Sequence, residues 1–447
     1  MKNYNFNFFV FGLLLVALCS CQSDDSGYED ITADEALSQR IELVYGSRTP
    51  LILPLASELS NIPSDPNNPI TAAKVELGRA LYHETALATD PKMEEGRFTY
   101  SCASCHHVDA GFQSGMRQGI GDGGMGFGIR GEGRQINSNY QNDEIDVQPI
   151  RTPSALNVAF QKVMLWNGQF GATGPNIGSE AQWTAGTPKE LNNLGFEGVE
   201  TQALAGLGVH RLQIRQQDII GTPYKQLFDE AFPNVDEAQR YTKLNGALAI
   251  AAYERTLLAN EAPFQNWLKG NRDAMTSDEK KGALLFFDKA QCFQCHSGPA
   301  LNDMNFYALG MNDLQGPEIT TVVNEPTKRG RGGFTGDPED DYKFKTPQLY
   351  NLKELQFFGH GGTFETLKSV IDYKNAAVPQ NTIVPQSQLS KHFKPLNLTE
   401  TEIELLVLFI EESLYDNNLQ RFVPLDLPSG NCFPNADAQS VLDLGCN

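Results

Sequence analysis

The chain has 447 residues, with 55 acidic against 35 basic side chains and a formal net charge of −20. Such a surface argues against nucleic acid or an anionic membrane as partner; it is compatible with docking a basic redox protein, with a merely solvated acidic surface as the alternative. This length predicts two domains, and past the first residues no apolar stretch is long enough to span a membrane.

Lys2 precedes an apolar run from Phe8 to Leu18, shorter than the ~20 residues of a spanning helix and suited to a signal-peptide core. Leu18-Cys19-Ser20-Cys21 follows, then a polar stretch. Small Ser20 before Cys21 resembles a bacterial lipobox. The reading is a lipoprotein signal peptide over residues 1–20, lipidation at Cys21, and a place in the periplasm or cell envelope with the lipid as the sole membrane contact. Ordinary cleavage beside incidental cysteines is the alternative. Residues 21–62 read as a tether.

Glu76-Leu77-Gly78-Arg79-Ala80-Leu81-Tyr82 comes next, then Cys102-Ala103-Ser104-Cys105-His106. Two thiols one helical turn apart, followed at once by an imidazole, form an attachment site for a c-type haem: two thioethers and an axial iron ligand. Lys281-Gly282-Ala283-Leu284-Leu285-Phe286-Phe287 precedes a second pentad, Cys292-Phe293-Gln294-Cys295-His296. From the Cys and His content, one pentad arises by chance in on the order of two chains per thousand, so two are no accident. A zinc ribbon does not need His directly after the second Cys in both copies. A thioredoxin-like pair needs a βαβ setting that is not found here.

Residues 111–150 hold many glycines and no helical period, so this loop is expected to need a ligand such as haem to hold it. Arg151-Thr152-Pro153-Ser154-Ala155-Leu156-Asn157 closes it. Lys345-Thr346-Pro347-Gln348-Leu349-Tyr350-Asn351 stands at a similar distance beyond the second pentad. The chain is therefore read as two copies of one haem-binding unit. A helix from about Asp236 to Leu258 ends the first. Thr276 to Glu279 and Thr399 to Glu402 read as capping boxes, and Ile403, Leu405, Leu406, Phe409 and Ile410 give one apolar helix side. Cys432 and Cys446 remain in an appended tail, 426–447, where an oxidising compartment predicts a disulfide.

The two pentads, the paired Thr-Pro segments, Ala252-Tyr253-Glu254-Arg255-Thr256-Leu257 and Cys295-His296-Ser297-Gly298-Pro299 resemble the bacterial di-haem cytochrome c peroxidases. That superfamily includes the methylamine-utilisation maturases, which oxidise protein tryptophans. The resemblance covers residues 65–420. It implies a mainly α fold of two tandem cytochrome c-like haem domains with long irregular loops: 63–258, peroxidatic, and 259–425, electron-transferring. Two covalent haem c groups are implied, with hydrogen peroxide reduced to water by electrons from a small c-type cytochrome or cupredoxin. A maturase-like oxidase acting on a partner protein and a plain di-haem electron carrier are the alternatives, and a homodimer is left open.

Carried over by position, His106 and His296 are the proximal iron ligands. Glu200, in Val199-Glu200-Thr201-Gln202-Ala203, is the catalytic carboxylate that moves the peroxide proton, against a first-turn helix Glu as the bland reading. Trp166-Asn167-Gly168 matches the family, but Met164 replaces a polar partner and the insertion 170–195 has no assigned role. Calcium between the domains is a doubtful cofactor, because Arg151 stands where the family has Asn and a fixed cation repels the ion. His107 is expected at the surface or on a haem propionate, and His360 in a structural hydrogen bond. Asp122 stands where members needing prior reduction carry a blocking loop His. For the far side of the second iron the family uses Met or Tyr; here the position falls on Lys374, with Tyr373 beside it.

Overall fold

The computed structural model describes Met1 and residues 26–446, with side chains from residue 33; the predicted signal-peptide core and Cys21 lie outside the described residues. The chain is mainly helical, and strand among the described residues is confined to two short antiparallel pairs. The helices that position the site are α1 (Ser26–Tyr45), α2 (Ala72–His83), α3 (Gly198–Val209), α4 (Lys243–Arg255), α5 (Ser277–Phe287), α6 (Leu367–Ala376), α7 (Glu400–Leu408) and α8 (Ala438–Leu444). Local chemistry sets their starts. Thr71 and Thr242 accept the backbone N–H of Lys74 and Asn245, and both expected capping boxes are formed, Thr276 with Glu279 and Thr399 with Glu402. The helix expected from Asp236 to Leu258 is instead two, Glu237–Arg240 and α4, because Thr242 takes extended backbone to cap the second.

The duplication seen in sequence is also a repeat of geometry. α2 packs on α4, and α5 packs on α7. A Cβ on Gly78 would lie 1.9 Å from the Ala249 carbonyl oxygen, and one on Gly282 would lie 2.0 Å from that of Leu405. Only glycine lets the helix backbones meet at these distances. Asn157 and Asn351, the last residues of the two Thr-Pro segments, are both left-handed, with φ of 59° and 55°. The Asn157 N–H donates to Leu257 O at 2.7 Å, and its Oδ1 accepts from Ala259 N–H at 3.0 Å. Likewise, the Asn351 N–H donates to Leu414 O at 3.0 Å, and its Oδ1 accepts from Asp416 N–H at 3.2 Å. Each asparagine ties its segment to the end of the helix that closes its unit.

One continuous apolar core runs through both halves, from Leu37 to Phe422. It draws in segments that the sequence left outside. From residue 26 onward the expected tether is helix α1: Leu37 and Ile41 are fully buried, Asp34 accepts from the Trp267 indole at 2.7 Å, and Arg40 donates to Phe287 O at 2.7 Å. The tail is no loose appendage either. Cys432 and Cys446 are joined by a disulfide, Ala436 N–H donates to Thr99 O at 3.0 Å, and Asp443 accepts from Phe127 and Gly128 N–H. Loop 111–150 carries buried polar anchors. Buried Arg134 donates to Ile120 O and Gly121 O at 2.6 and 2.7 Å, and fully buried Asp122 accepts from Tyr140 Oη and Lys92 N–H, both at 2.7 Å. The insertion 170–195 bridges the halves: Asn176 donates to Gly168 O and Gly171 O, and Arg331 donates to Asn176 Oδ1 and Pro175 O, both at 2.8 Å.

Candidate functional site

Each pentad forms a short turn, Cys102–Ser104 and Cys292–Gln294, that carries its histidine at the exit. The His106 Nδ1 faces Phe112 O at 3.3 Å, and the His296 Nδ1 faces Leu301 O at 3.0 Å. Phe112 and Leu301 are themselves left-handed, which turns their carbonyls back onto the imidazoles. The carbonyls of Pro153 and Pro347 lie beside the same rings, so the repeated Thr-Pro segments orient the two ligands. A carbonyl on Nδ1 fixes the tautomer and leaves Nε2 for a metal. Burial pushes both imidazoles down to about 4, which keeps them neutral and able to ligate.

The thiols point the same way. None of Cys102, Cys105, Cys292 and Cys295 is in a disulfide, and burial pushes the first three up to about 12. Neither pair is closed into a disulfide, which leaves both thiols of each pentad available for attachment. Among the described residues no group of three or more His, Cys, Asp or Glu could hold a metal ion.

A cavity of about 280 Å³ opens at the second pentad, some twenty times the space one water needs. Cys292, Cys295 and His296 form one wall; Val370, Ile371 and Lys374 of α6 are among the others. The two neighbours named for the second iron part company here. The Tyr373 hydroxyl donates to Leu309 O at 2.5 Å and is absent from the cavity wall, whereas Lys374 lines it. Lys374 makes no hydrogen bond or ion pair, and burial lowers its pKa. His360 lies flat on Phe344 with ring centres 3.6 Å apart, and its own carbonyl accepts from Arg151 N–H at 2.9 Å. His107 is not at the surface, one of its two expected places. It is buried, its Nε2 bonded to Arg130 O and its ring edge-on to Phe127, so it pins the glycine-rich loop.

Around the first pentad the polar groups are clustered and buried. Glu200 lies in the first turn of α3 but is not solvated. Arg255 clamps it bidentately, Nε to Oε1 at 2.9 Å and Nη2 to Oε2 at 2.7 Å, and Asn68 donates to Oε1 at 3.2 Å. Glu197 completes the cluster on Arg255 at 3.2 Å. No hydrogen bond joins Glu200 to Cys102, Cys105 or His106. Glu254, which the sequence reading passed over, is buried on α4 with Oε2 unpartnered, close enough to Cys102 and Tyr82 to act on both electrostatically. Burial, then the Glu200 charge, push it up to about 8 against the pull of Arg255. An acidic-basic pair closing an otherwise Ala-rich helix was the signal in the sequence.

Arg151 takes the place where calcium was in question. Its guanidinium donates to Met116 O at 3.0 Å, Gln113 Oε1 at 3.1 Å and Ser114 O at 3.4 Å, and its carbonyl accepts from the Trp166 indole at 2.8 Å.

A family model described as di-haem cytochrome c peroxidase matches residues 72–273. The chain is 27% identical over 382 residues to cytochrome-c peroxidase IdrP1 of Pseudomonas sp. (strain SCT), covering 80% of this chain and 85% of that one. It is 28% identical over 393 residues to methylamine utilization protein MauG of Methylorubrum extorquens, covering 86% and 88%. The crystal structure of a MauG-like protein associated with microbial copper homeostasis shares the fold, with a TM-score of 0.55 at 21% identity over 82% of this chain and 95% of that one. Geometry and likeness converge: the chain is similar to the di-haem cytochrome c peroxidases and the MauG proteins, by the family match over residues 72–273 and by 27–29% identity to members of both.

Proposed function

We propose that this protein is a di-haem c-type peroxidase that reduces hydrogen peroxide to water with two protons and two electrons. Its two units, 63–258 and 259–425, are tandem cytochrome c-like domains, each holding one covalent haem through Cys102 and Cys105 or Cys292 and Cys295. His106 and His296 are the proximal ligands. The observation that carries the reading is the inequality of the two sites. A buried carboxylate cluster stands near the first, and an unpartnered amine lines the second.

When bound, haem held by His106 and His296 would supply the redox chemistry. The protein supplies position and protons. Glu200 receives and returns the peroxide proton, held in place by Arg255 and Asn68. Trp166 lines the cavity of the second site and is fixed by its indole bond to Arg151 O. A small c-type cytochrome or cupredoxin delivers electrons on the acidic exterior. Cys21, lipidated, keeps the protein on the cell envelope.

No imidazole lies between His107 and His210, and Asp122, at the position of a blocking residue, is spent on Tyr140, Lys92 and Arg211. The ferric first haem is therefore expected to be high-spin and reactive without prior reduction. Electron paramagnetic resonance of the oxidised protein with and without peroxide tests this. An all-low-spin spectrum, unchanged by peroxide and paired with no oxidation of a reduced small cytochrome, overturns the peroxidase reading. A second reading, oxidation of a partner protein, is favoured by the similarity to MauG, which equals that to the peroxidases.

A further inference from the structure

We infer that Lys374 Nζ is the iron ligand opposite His296, so that the second haem is held between an imidazole and a lysine amine. The inference rests on the di-haem reading above and assigns what that reading leaves open. Helix geometry places Lys374 on the cavity face, since residues three and four apart share one side and Ile371 and Val370 line the same cavity. Cys292, Cys295 and His296 stand in the wall of that space.

The amine is unsatisfied there. Lys280 and Lys345, the buried lysines among the described residues, both have partners: Asp34 at 3.4 Å for the first, Gln161 and Val163 O for the second. Lys374 has none. The nearest carboxylate on its own helix, Asp372, is taken up by Lys368 at 3.0 Å. Asp303, near the pentad, accepts from Tyr307 Oη at 2.6 Å. A partly buried amine with no partner gains from whatever in the cavity engages it, and a ligand-deficient iron held by His296 would do so.

The rival donors are placed less well. The Tyr373 hydroxyl is committed to Leu309 O; His360 also lines the cavity with its Nε2 free of hydrogen bonds, but its ring is stacked on Phe344 and its Nε2 faces Asp313 Oδ1 at 3.5 Å. Met311 lines the cavity, but its sulfur packs against Gly359, 3.2 Å from where a Cβ there would stand. On binding, Nζ releases its proton to solvent and donates its lone pair to iron; no electron changes hands. Compared with a thioether, a nitrogen donor favours the ferric state and lowers the potential of the haem.

The test uses the holoprotein and its Lys374→Ala, Lys374→Met and Met311→Leu variants, with haem content by pyridine haemochrome, ferric electron paramagnetic resonance, near-infrared magnetic circular dichroism and redox titration. Two haems per chain are expected throughout; one or none in the parent protein sinks the di-haem reading and the ligand with it. Lys374→Ala should abolish the low-spin signal of the second haem and spare the first. Lys374→Met keeps the side chain's bulk, should raise the second potential and should bring in a thioether-to-iron band that the parent lacks. Met311→Leu should change none of these. A thioether band already present in the parent and lost in Met311→Leu, or a second-haem signal and potential unmoved by both Lys374 variants, overturns the assignment.

Discussion

The two pentad-bearing units share a frame and differ in what encloses the pentad. In the first, Ser104, between the two cysteines, is bonded to Asn435 and to Pro434 O at 3.2 Å, so the disulfide-closed tail braces the attachment turn. In the second, the turn starts from left-handed Gln291 without a side-chain cap and opens onto the cavity. Glycine crossings, Asn ties and carbonyl-held imidazoles recur in both. In the proposed holoprotein the frame would set the proximal side of each iron, and loops and the opposite wall what each iron could do.

The largest effect should come from the side of the molecule that the first unit alone possesses. Glu200→Gln keeps the shape but removes the proton acceptor, and peroxidase turnover should fall by about 10²–10⁴. The same change weakens a buried ion pair with Arg255, whose loss costs about 3–5 kcal/mol when one partner is left unpaired. Turnover per folded, haem-loaded molecule must therefore be measured alongside the melting temperature. A lower melting temperature with unchanged turnover would make Glu200 a structural ion-pair partner only.

The shared frame makes a matched prediction. Gly78→Val and Gly282→Val each drive a side chain into a helix carbonyl, a clash that costs about 3 kcal/mol or more because backbone cannot turn aside. Both should lower stability to denaturant by similar amounts, each loosening its own haem. If one is tolerated, the crossings are not equivalent.

How much of this was legible in the sequence follows from the range of the interactions. The pentads, capping boxes and Thr-Pro repeats are local patterns whose chemistry needs only a few consecutive residues, and the boxes at Thr276 and Thr399 stand where the spacing placed them. Asp34 with Trp267, the tail on Thr99 and Asn176 under Arg331 join residues more than 150 apart, so α1, the tail and the insertion read as loose when they are packed. The choice between Lys374 and Tyr373 needed the rotation of one helix about its axis. Periodicity leaves that rotation open until the neighbouring wall is known.

A smaller effect separates the two units by pH. Glu254, at about 8, holds a proton in the folded state that an ordinary glutamate, near 4.5, releases when unfolded. A carboxyl raised in this way favours folding most below the unfolded value and loses that contribution as pH rises through the window from about 4.5 to 8. Between pH 6 and 7 the loss is about 1 kcal/mol. Glu254→Gln should flatten this slope in chemical denaturation, and a slope unchanged by the substitution would assign the pH dependence to another group.

The smallest expected effect is none at all, and it tests the seam between the units. A calcium ion at this seam would take oxygen ligands; the Arg151 guanidinium already engages Met116 O, Gln113 Oε1 and Ser114 O, and burial lowers its pKa to about 9, still charged at neutral pH. A divalent ion beside that cation meets like charge in a poorly solvated place. Chelation with EDTA should therefore leave melting temperature, haem spectra and turnover where they were, and added calcium should do the same. Arg151→Asn sharpens the point. It removes the built-in cation and frees those loop oxygens, so this variant should be destabilised and should regain stability with millimolar calcium. Chelator-sensitive parent protein would mean that the ion sits elsewhere along the seam and that Arg151 does not stand in for it.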